Sequence, residues 1–228
     1  MKKYFFEFLV VFFGILLSFM IDNRIKYSER VDNKNFLLGQ LYEVINEDQS
    51  QLKIVENTLN DCLESISILI YDYKNNILPD SVLVKHFSNI SSKMSISFFP
   101  QTSIYNQIVQ SQYLELVENK KLKKNLASLY EHLSDRNESV NLKLDLFNQE
   151  FDLALIDVVF YRTIINEVEN SVDLDTSIKD YIISKDYRNN NLVLGYYVNA
   201  EKRVIFYLEL LKKYRELMNE ISTELKIN

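Results

Sequence analysis

Glycine and proline are nearly missing from this sequence, with three of the first and two of the second in 228 residues. Hairpins and tight loops draw on both, which argues against a β-rich fold and makes long helices the default. Cysteine is down to one, Cys62, which rules out an intramolecular disulfide and a cysteine-based metal site but leaves the compartment open. Glycine stands only at 14, 39 and 195, so no loop can cradle a phosphate. Neither His86 nor His132 has a glutamate three residues earlier, and a di-iron site in a helical bundle needs two such pairs. Positive charge is in deficit too. The net charge of -6 and pI near 5.1 lack the basic footprint of a nucleic-acid binder, so no nucleic-acid partner is expected. No enzyme signature is present, and no catalytic residue, cofactor or metal is expected. The length allows one domain with a real core, or one domain plus an anchor.

What is present begins at the first residue, with MKKYFFEFLVVFFGILLSFMIDNR. From Tyr4 to Ile21 the only formal charge is Glu7, and at about 1.5 Å per residue the stretch makes roughly 27 Å of helix, close to the ~30 Å of bilayer hydrocarbon. A core helix is the competing reading, but Phe5, Phe6, Phe8, Phe12, Phe13 and Phe19 leave it no polar face. A cleaved signal would need small residues after the apolar run, and Ser18-Phe19-Met20-Ile21-Asp22 offers no such pattern. The expectation is an uncleaved transmembrane anchor over 1–24 and a helical bundle over 25–228. Lys2 and Lys3 on one flank nearly balance Arg24, Lys26, Arg30 and Lys34 on the other, so charge alone does not orient it. Glu7, Val11, Gly14, Ser18 and Ile21 follow 4-3-4-3 spacing and share one face. Gly14 and Ser18 form a small-x-x-x-small pair, which suits close approach of a second copy or another membrane protein. Glu7 can instead snorkel, or pair with Lys3.

Nothing between Asp22 and Asn35 forces a break, so the anchor is expected to run on into the next helix. From Leu38 to Tyr73 a 3-4 spacing holds through Leu41, Ile45, Asp48, Leu52, Val55 and onward, with Asp48 its only polar member. A shorter helix is expected from Asp80 to about Asn89, with Asp80 as N-cap, a Ser-rich connection over 88–97, and a restart at Thr102 and Ser103. Leu122, Leu126, Leu129 and Leu133 open the next seam. It slips phase near Arg136, resumes at Val140, Leu144, Phe147 and Phe151, and is read on through Ala154, Val158, Tyr161, Ile165 and Val168. Asp173 to Asp175 mark a stop, and a short helix is expected around 178–183. The last helix runs from about Asn191 to Lys226 on Val193, Tyr197, Ala200, Val204, Tyr207 and their 3-4 successors. The fold class is all-α: an N-terminal transmembrane helix continuing into an antiparallel bundle of long helices with coiled-coil-like seams, a dimeric coiled coil being the runner-up.

The stretch FEFLVVFFGILLSFMIDNRIKYSER matches the pattern E-x-x-L-V-V-x-x-G-I-L-I-A at Glu7, Val10, Val11, Gly14, Ile15, Leu16, Leu17 and Ser18, with Asp22 following. Tyr105 to Asn119, with Leu122, Leu126 and Tyr130, matches a Y-x-x-L-x-x-S-G-x-L-x-x-I segment. Together they resemble a bacterial domain-of-unknown-function family of single-pass membrane proteins with a helical domain. The chain departs at Gln112, where the pattern has the glycine a tight turn after Ser111 would favour. The resemblance implies a bacterial inner-membrane protein with its N-terminus inside and its bundle periplasmic, and it brings no established activity.

The remaining candidates have ordinary structural explanations. Lys120, Lys121, Lys123 and Lys124 read as a solvated helix face, with acidic lipid headgroups as the alternative. Asp48, buried in the seam, must be paired or protonated, and a Lys, Arg or Tyr of a neighbouring helix is the expected partner. Cys62 reads as a small apolar filler before a nucleophile, and His132 beside Glu131 as exposed or locally bonded before a general acid or base, while Tyr196, Tyr197, Tyr207 and Tyr214 read as bundle packing before an aromatic pocket. The function expected is a membrane-anchored helical scaffold or assembly protein acting through protein-protein contacts. Its partners would be the lipid bilayer, a protein held by the bundle, and a second copy or another membrane protein along the span. The alternative is a ligand-sensing bundle signalling through its span to a membrane partner.

Overall fold

The computed structural model describes residues 2–155, 159–161, 181–183, 187 and 190–227. Its first element is a single helix, α1, from Lys2 to Asn75, 74 residues without a break. It stops where Asn76 turns left-handed at φ 55°, and the Asp72 carboxylate accepts the freed N–H groups of Ile77 and Leu78 at 2.9 and 2.6 Å. There follow α2 (Asp80–Lys93), α3 (Ser103–Gln110), a 3-10 turn (Tyr113–Leu116), α4 (Lys120–Ala127), a π-helical turn (Ser128–Leu133), α5 (Ser134–Leu155) and α6 (Asn191–Ile227).

These elements form four legs, alternately up and down. The bundled part of α1 runs up, and α2, the connection after it, α3 and the 3-10 turn come down against it, as Asn89 to Asp61 and Gln101 to Asp48 record. The third leg, α4 to α5, runs up again. The last leg, α6, comes down antiparallel to α1, fixed by Gln49 to Asn219 and Arg215 to Glu56. Bundle packing on α1 begins at Leu37, so the helix before it projects from the base of the bundle.

The seams read from the sequence form the core. On α1, Leu41, Ile45, Leu59, Cys62, Ile66 and Leu69 are fully buried, as are Val193, Tyr197, Ala200, Val204, Tyr207 and Tyr214 on α6. The phase slip in the third leg is the π-helical turn, where an extra residue per turn rotates the stripe before α5 begins. The bundle is therefore all-α, as expected, with three local departures. Helix α2 runs on through the serines to Lys93, and Pro79, not Asp80, occupies its N-cap. The third leg ends at Leu155 instead of continuing, and Val159–Tyr161 pairs as an antiparallel strand, β1, with Tyr181–Ile183, β2. Ala154, expected in the seam, is exposed on the last turn of α5, and the short helix expected over 178–183 is a strand where it is described, while Val158, Ile165, Val168 and Asp173 to Asp175 lie outside the described residues. Val159, Phe160, Tyr161, Tyr181, Ile182 and Ile183 are all β-branched or aromatic, which outweighs the helical spacing there.

The turn after Ser111 is made without glycine. Gln112 sits at φ 57°, ψ 24°, as the left-handed residue closing α3, and its N–H donates to Val109 O at 3.0 Å.

Candidate interaction surfaces

The apolar section of α1 is the first surface. One helix, near the N-terminus, is long and apolar enough to cross a membrane, and none of its most apolar window is buried. Glu7, Val11, Gly14, Ser18 and Ile21 lie along one strip of it. A Cβ built on Gly14 meets nothing within 4 Å, so no contact within the chain requires glycine there. The rings crowd other sides: Phe8 stacks on Phe12 at 5.9 Å, and Phe12 meets Phe13 edge-on at 5.8 Å.

Asp48 belongs to a different structure, the broken second leg. Between α2 and α3 the chain forms neither helix nor strand from Ile96 to Thr102, and it turns Met94 and Phe98 fully into the core while Phe99 stays exposed. Backbone buried there has no helix or sheet partner of its own, so side chains must supply the hydrogen bonds. All three long legs contribute. Tyr207 Oη of α6 accepts from Phe98 N–H at 2.9 Å, and Asn137 and Asn141 of α5 donate to Phe98 O at 2.7 and 3.2 Å. Asp48 of α1 accepts from Gln101 N–H at 3.0 Å and from Gln101 Nε2 at 3.3 Å. The partner expected for Asp48 was a Lys, Arg or Tyr; it is instead a glutamine with its backbone, because the need being met is that of the non-helical chain. Burial pushes the Asp48 carboxyl up to about 6, against the opposing pull of the two Gln101 hydrogen bonds. Burial likewise raises Tyr207 to about 12. Asn137 and Asn141 escaped the sequence reading, since an apolar 3-4 rule steps over polar core positions. The buried non-helical segment would have been the signal, and only the tertiary structure reveals it.

The base of the bundle gathers the lysine run. Asn119 caps α4 by accepting from Lys121 N–H and Leu122 N–H at 3.0 and 3.1 Å, and its amide donates to Glu224 at 2.6 Å. Lys121 pairs with Glu224 at 3.0 Å, and Lys123 Nζ donates to Glu115 O at 3.1 Å. Lys120 and Lys124 face solvent. The run is therefore partly a clamp between α4 and α6 and partly a solvated face. Beside it, at the root of the projecting helix, Leu38, Gly39, Tyr42, Val117 and Leu122 line a cavity of about 520 Å³. Lys226 closes one side, its Nζ 5.5 Å from the centre of the Tyr42 ring.

The other candidates are accounted for by packing. Cys62 is fully buried and its thiol is pushed up to about 11 by burial. His132 is exposed, and its neighbour Glu131 accepts from Tyr105 Oη at 2.7 Å. Tyr197 and Tyr214 are buried and Tyr196 half-buried.

The chain matches no protein-family model, and no curated protein or solved structure matches it. The resemblance described above rests on the residues that carry it.

Proposed function

We propose that the protein is a membrane-anchored helical scaffold or assembly factor, with residues 1–24 as its anchor and its bundle as the surface that holds a protein partner. The observation that carries this reading is the continuity of α1. The same helix is exposed over its apolar section and buries one stripe in the core from Leu37 onward, so anchor and bundle share one unbroken helix. Between them, the roughly 15 residues from Asp22 to Phe36 make about 22 Å of polar stalk. It bears the ion pair of Lys26 with Asp22 at 2.6 Å, four residues apart.

The pair Gly14 and Ser18 on one strip of the span also favours assembly through it, since small residues let a second helix approach closely. Orientation with the N-terminus inside and the bundle in the periplasm of a bacterial inner membrane follows the resemblance. Protease added to spheroplasts should then digest the region after Arg24, and protection until the inner membrane is breached would reverse the assignment.

The scaffold reading is tested by crosslinking in native membranes with mass-spectrometric identification of partners. Reproducible bundle-to-protein crosslinks are expected. Gly14→Leu should reduce span-mediated association, whereas Phe13→Leu should not. A chain that crosslinks to nothing at native abundance is no scaffold.

A further inference from the structure

On the outer side of the bundle, α5 and α6 leave a groove of about 510 Å³ between them. Four cations line it, Arg136 and Lys143 from α5 and Lys202 and Arg203 from α6, over a floor that includes Val140, Leu144 and Phe206. In a chain of net charge -6 this is a local reversal of sign. No ion pair to a carboxylate engages any of the four among the described residues. The acids on the same helices, such as Glu138, Asp145 and Glu201, do not line the groove.

The guanidinium groups are held, not loose. Arg203 lies over the Phe147 ring with its Cζ 4.5 Å from the centre, and its Nη1 donates to Lys143 O at 3.5 Å. Arg136 lies 5.7 Å from the centre of the Phe206 ring. Stacking on an aromatic face fixes the plane of an arginine while leaving its N–H edge open to a carboxylate. Asn199 and Arg203 are shared with a second, contiguous hollow lined by Leu192, Gly195, Tyr196 and Glu150. Gly195 stands inside α6, where glycine costs about 1 kcal/mol relative to alanine. A Cβ there would meet nothing within 4 Å, so the chain's own packing does not ask for it. The bare backbone deepens the groove for something from outside.

We infer that this groove binds an acidic amphipathic segment of a partner protein, lying along α5 and α6 with its carboxylates on the four cations and its apolar side on the floor. From Arg136 to Glu150 the groove follows about 21 Å of α5, the length of about 14 residues of helix. The charges run from four cations at the end nearer the base to Glu150 at the other, so a segment acidic at one end is matched in direction as well as in sign. Headgroups of the protein's own bilayer cannot serve. The registers of α1 and α6 put the groove roughly 65 Å along α1 from Ile21, many Debye lengths of about 8 Å away. The inference rests on the scaffold reading and names the chemistry of the partner.

The test uses the full chain in nanodiscs of zwitterionic lipid, with empty nanodiscs as blank and fluorescence anisotropy as readout. The probe is a labelled 14-residue amphipathic peptide carrying three glutamates toward one end and leucines on the opposite face. Expected are saturable binding that weakens as salt rises, and no binding of the same peptide with lysines for glutamates. The double variant Arg136→Glu/Arg203→Glu should weaken binding at least tenfold, and Lys120→Glu/Lys124→Glu, at the base, should leave it unchanged. Gly195→Leu fills the groove without touching charge and should also weaken binding, while circular dichroism shows the helices intact. Equal binding by the parent and both groove variants would overturn the inference. So would a single-stranded oligonucleotide that binds the groove as tightly as the peptide, since the site would then be a general polyanion site. Loss of the groove with bundle crosslinks in membranes retained would leave the scaffold standing on another surface; loss of those crosslinks would remove the scaffold itself.

Discussion

Asp48 makes the sharpest quantitative test of the packing described here. It is fully buried, and burial lifts its carboxyl from 3.8 to about 6. A folded-state value above the unfolded one means that the folded chain keeps a proton which the unfolded chain releases. Stability from this group is therefore greatest below about pH 4 and is lost as pH rises through about 6. Two units at about 1.4 kcal/mol each make the loss about 3 kcal/mol. Asparagine has the same shape and no charge. Its Oδ1 can still accept from Gln101 N–H, but a turn of the Gln101 amide that lets the Asn Nδ2 donate gives up the bond from Gln101 Nε2 to Glu47 Oε2 at 3.1 Å. Imperfect repairing of that second bond costs up to about 1.5 kcal/mol. Asp48→Asn should thus be more stable than the parent by about 1.5–3 kcal/mol at pH 7.5, with the advantage shrinking toward nothing near pH 4. Urea unfolding of the full chain in non-ionic detergent, followed by far-UV circular dichroism from pH 4 to 8, reads the difference between the two proteins, so titrations common to both cancel. Asp48→Leu separates charge from hydrogen bonding: it also removes the charge but strands Gln101 N–H, and should be about 1–3 kcal/mol less stable than Asp48→Asn at every pH. A stability difference between parent and Asp48→Asn that stays constant across the range would refute the buried, proton-holding assignment.

Cys62, buried and with its thiol raised to about 11, should react with a bulky maleimide only slowly in the folded protein and rapidly in urea; fast labelling of the folded chain would displace it from the seam. Gln112→Gly relieves about 1–2 kcal/mol of left-handed strain and adds about 0.4–1 kcal/mol of unfolded-chain entropy, so a net stabilisation of about 0.5–1 kcal/mol is expected in the same urea assay, and a loss would contradict the positive φ. Tyr207→Phe removes the acceptor of the buried Phe98 N–H and should cost about 1–3 kcal/mol, whereas an unchanged midpoint would mean that the non-helical segment does not depend on α6.

The long helices were legible because their cause is local and repetitive. A 3-4 spacing kept over ten turns, with no proline to interrupt it and a single glycine in each pattern, Gly39 and Gly195, leaves one way to bury a stripe, and α1 and α6 obey it to within a residue or two. The slip near Arg136 was visible for the same reason, although its form as a π-helical turn was not. What stayed hidden is the descent of the second leg as non-helical chain, because a spacing rule rewards apolar positions and passes over Asn137 and Asn141, which are buried only because Phe98 lies between helices. The same blindness made Asp48 look like half of an ion pair. At β1 the helical pattern continued past Leu155 by coincidence of apolar residues, and strand pairing with a segment some twenty residues on outweighed it. The groove cations were unreadable as a group, since Arg136 and Lys143 meet Lys202 and Arg203 only when α5 and α6 lie side by side.

The broken leg bears on function by elimination of candidates. A polar cluster in the middle of a bundle would ordinarily be the first place to seek a ligand, and here the cluster consists of Asp48, Asn137, Asn141 and Tyr207. Each of these already serves the backbone of Phe98 or Gln101, and a ligand that took any one of them would strand an N–H or a carbonyl inside the core at about 1–3 kcal/mol apiece. Internal recognition would have to outbid the fold. Outward-facing groups carry no such cost: the arginines of the groove, whose N–H edges stay open beside their ring contacts, the open backbone at Gly195, and the strip through Gly14 and Ser18. They face away from the core at opposite ends of a molecule whose first helix is unbroken, one end suited to a helix in lipid and the other to an acidic segment in water. In the scaffold reading proposed above, two partners would be held at a distance set by the unbroken length of α1 between these surfaces.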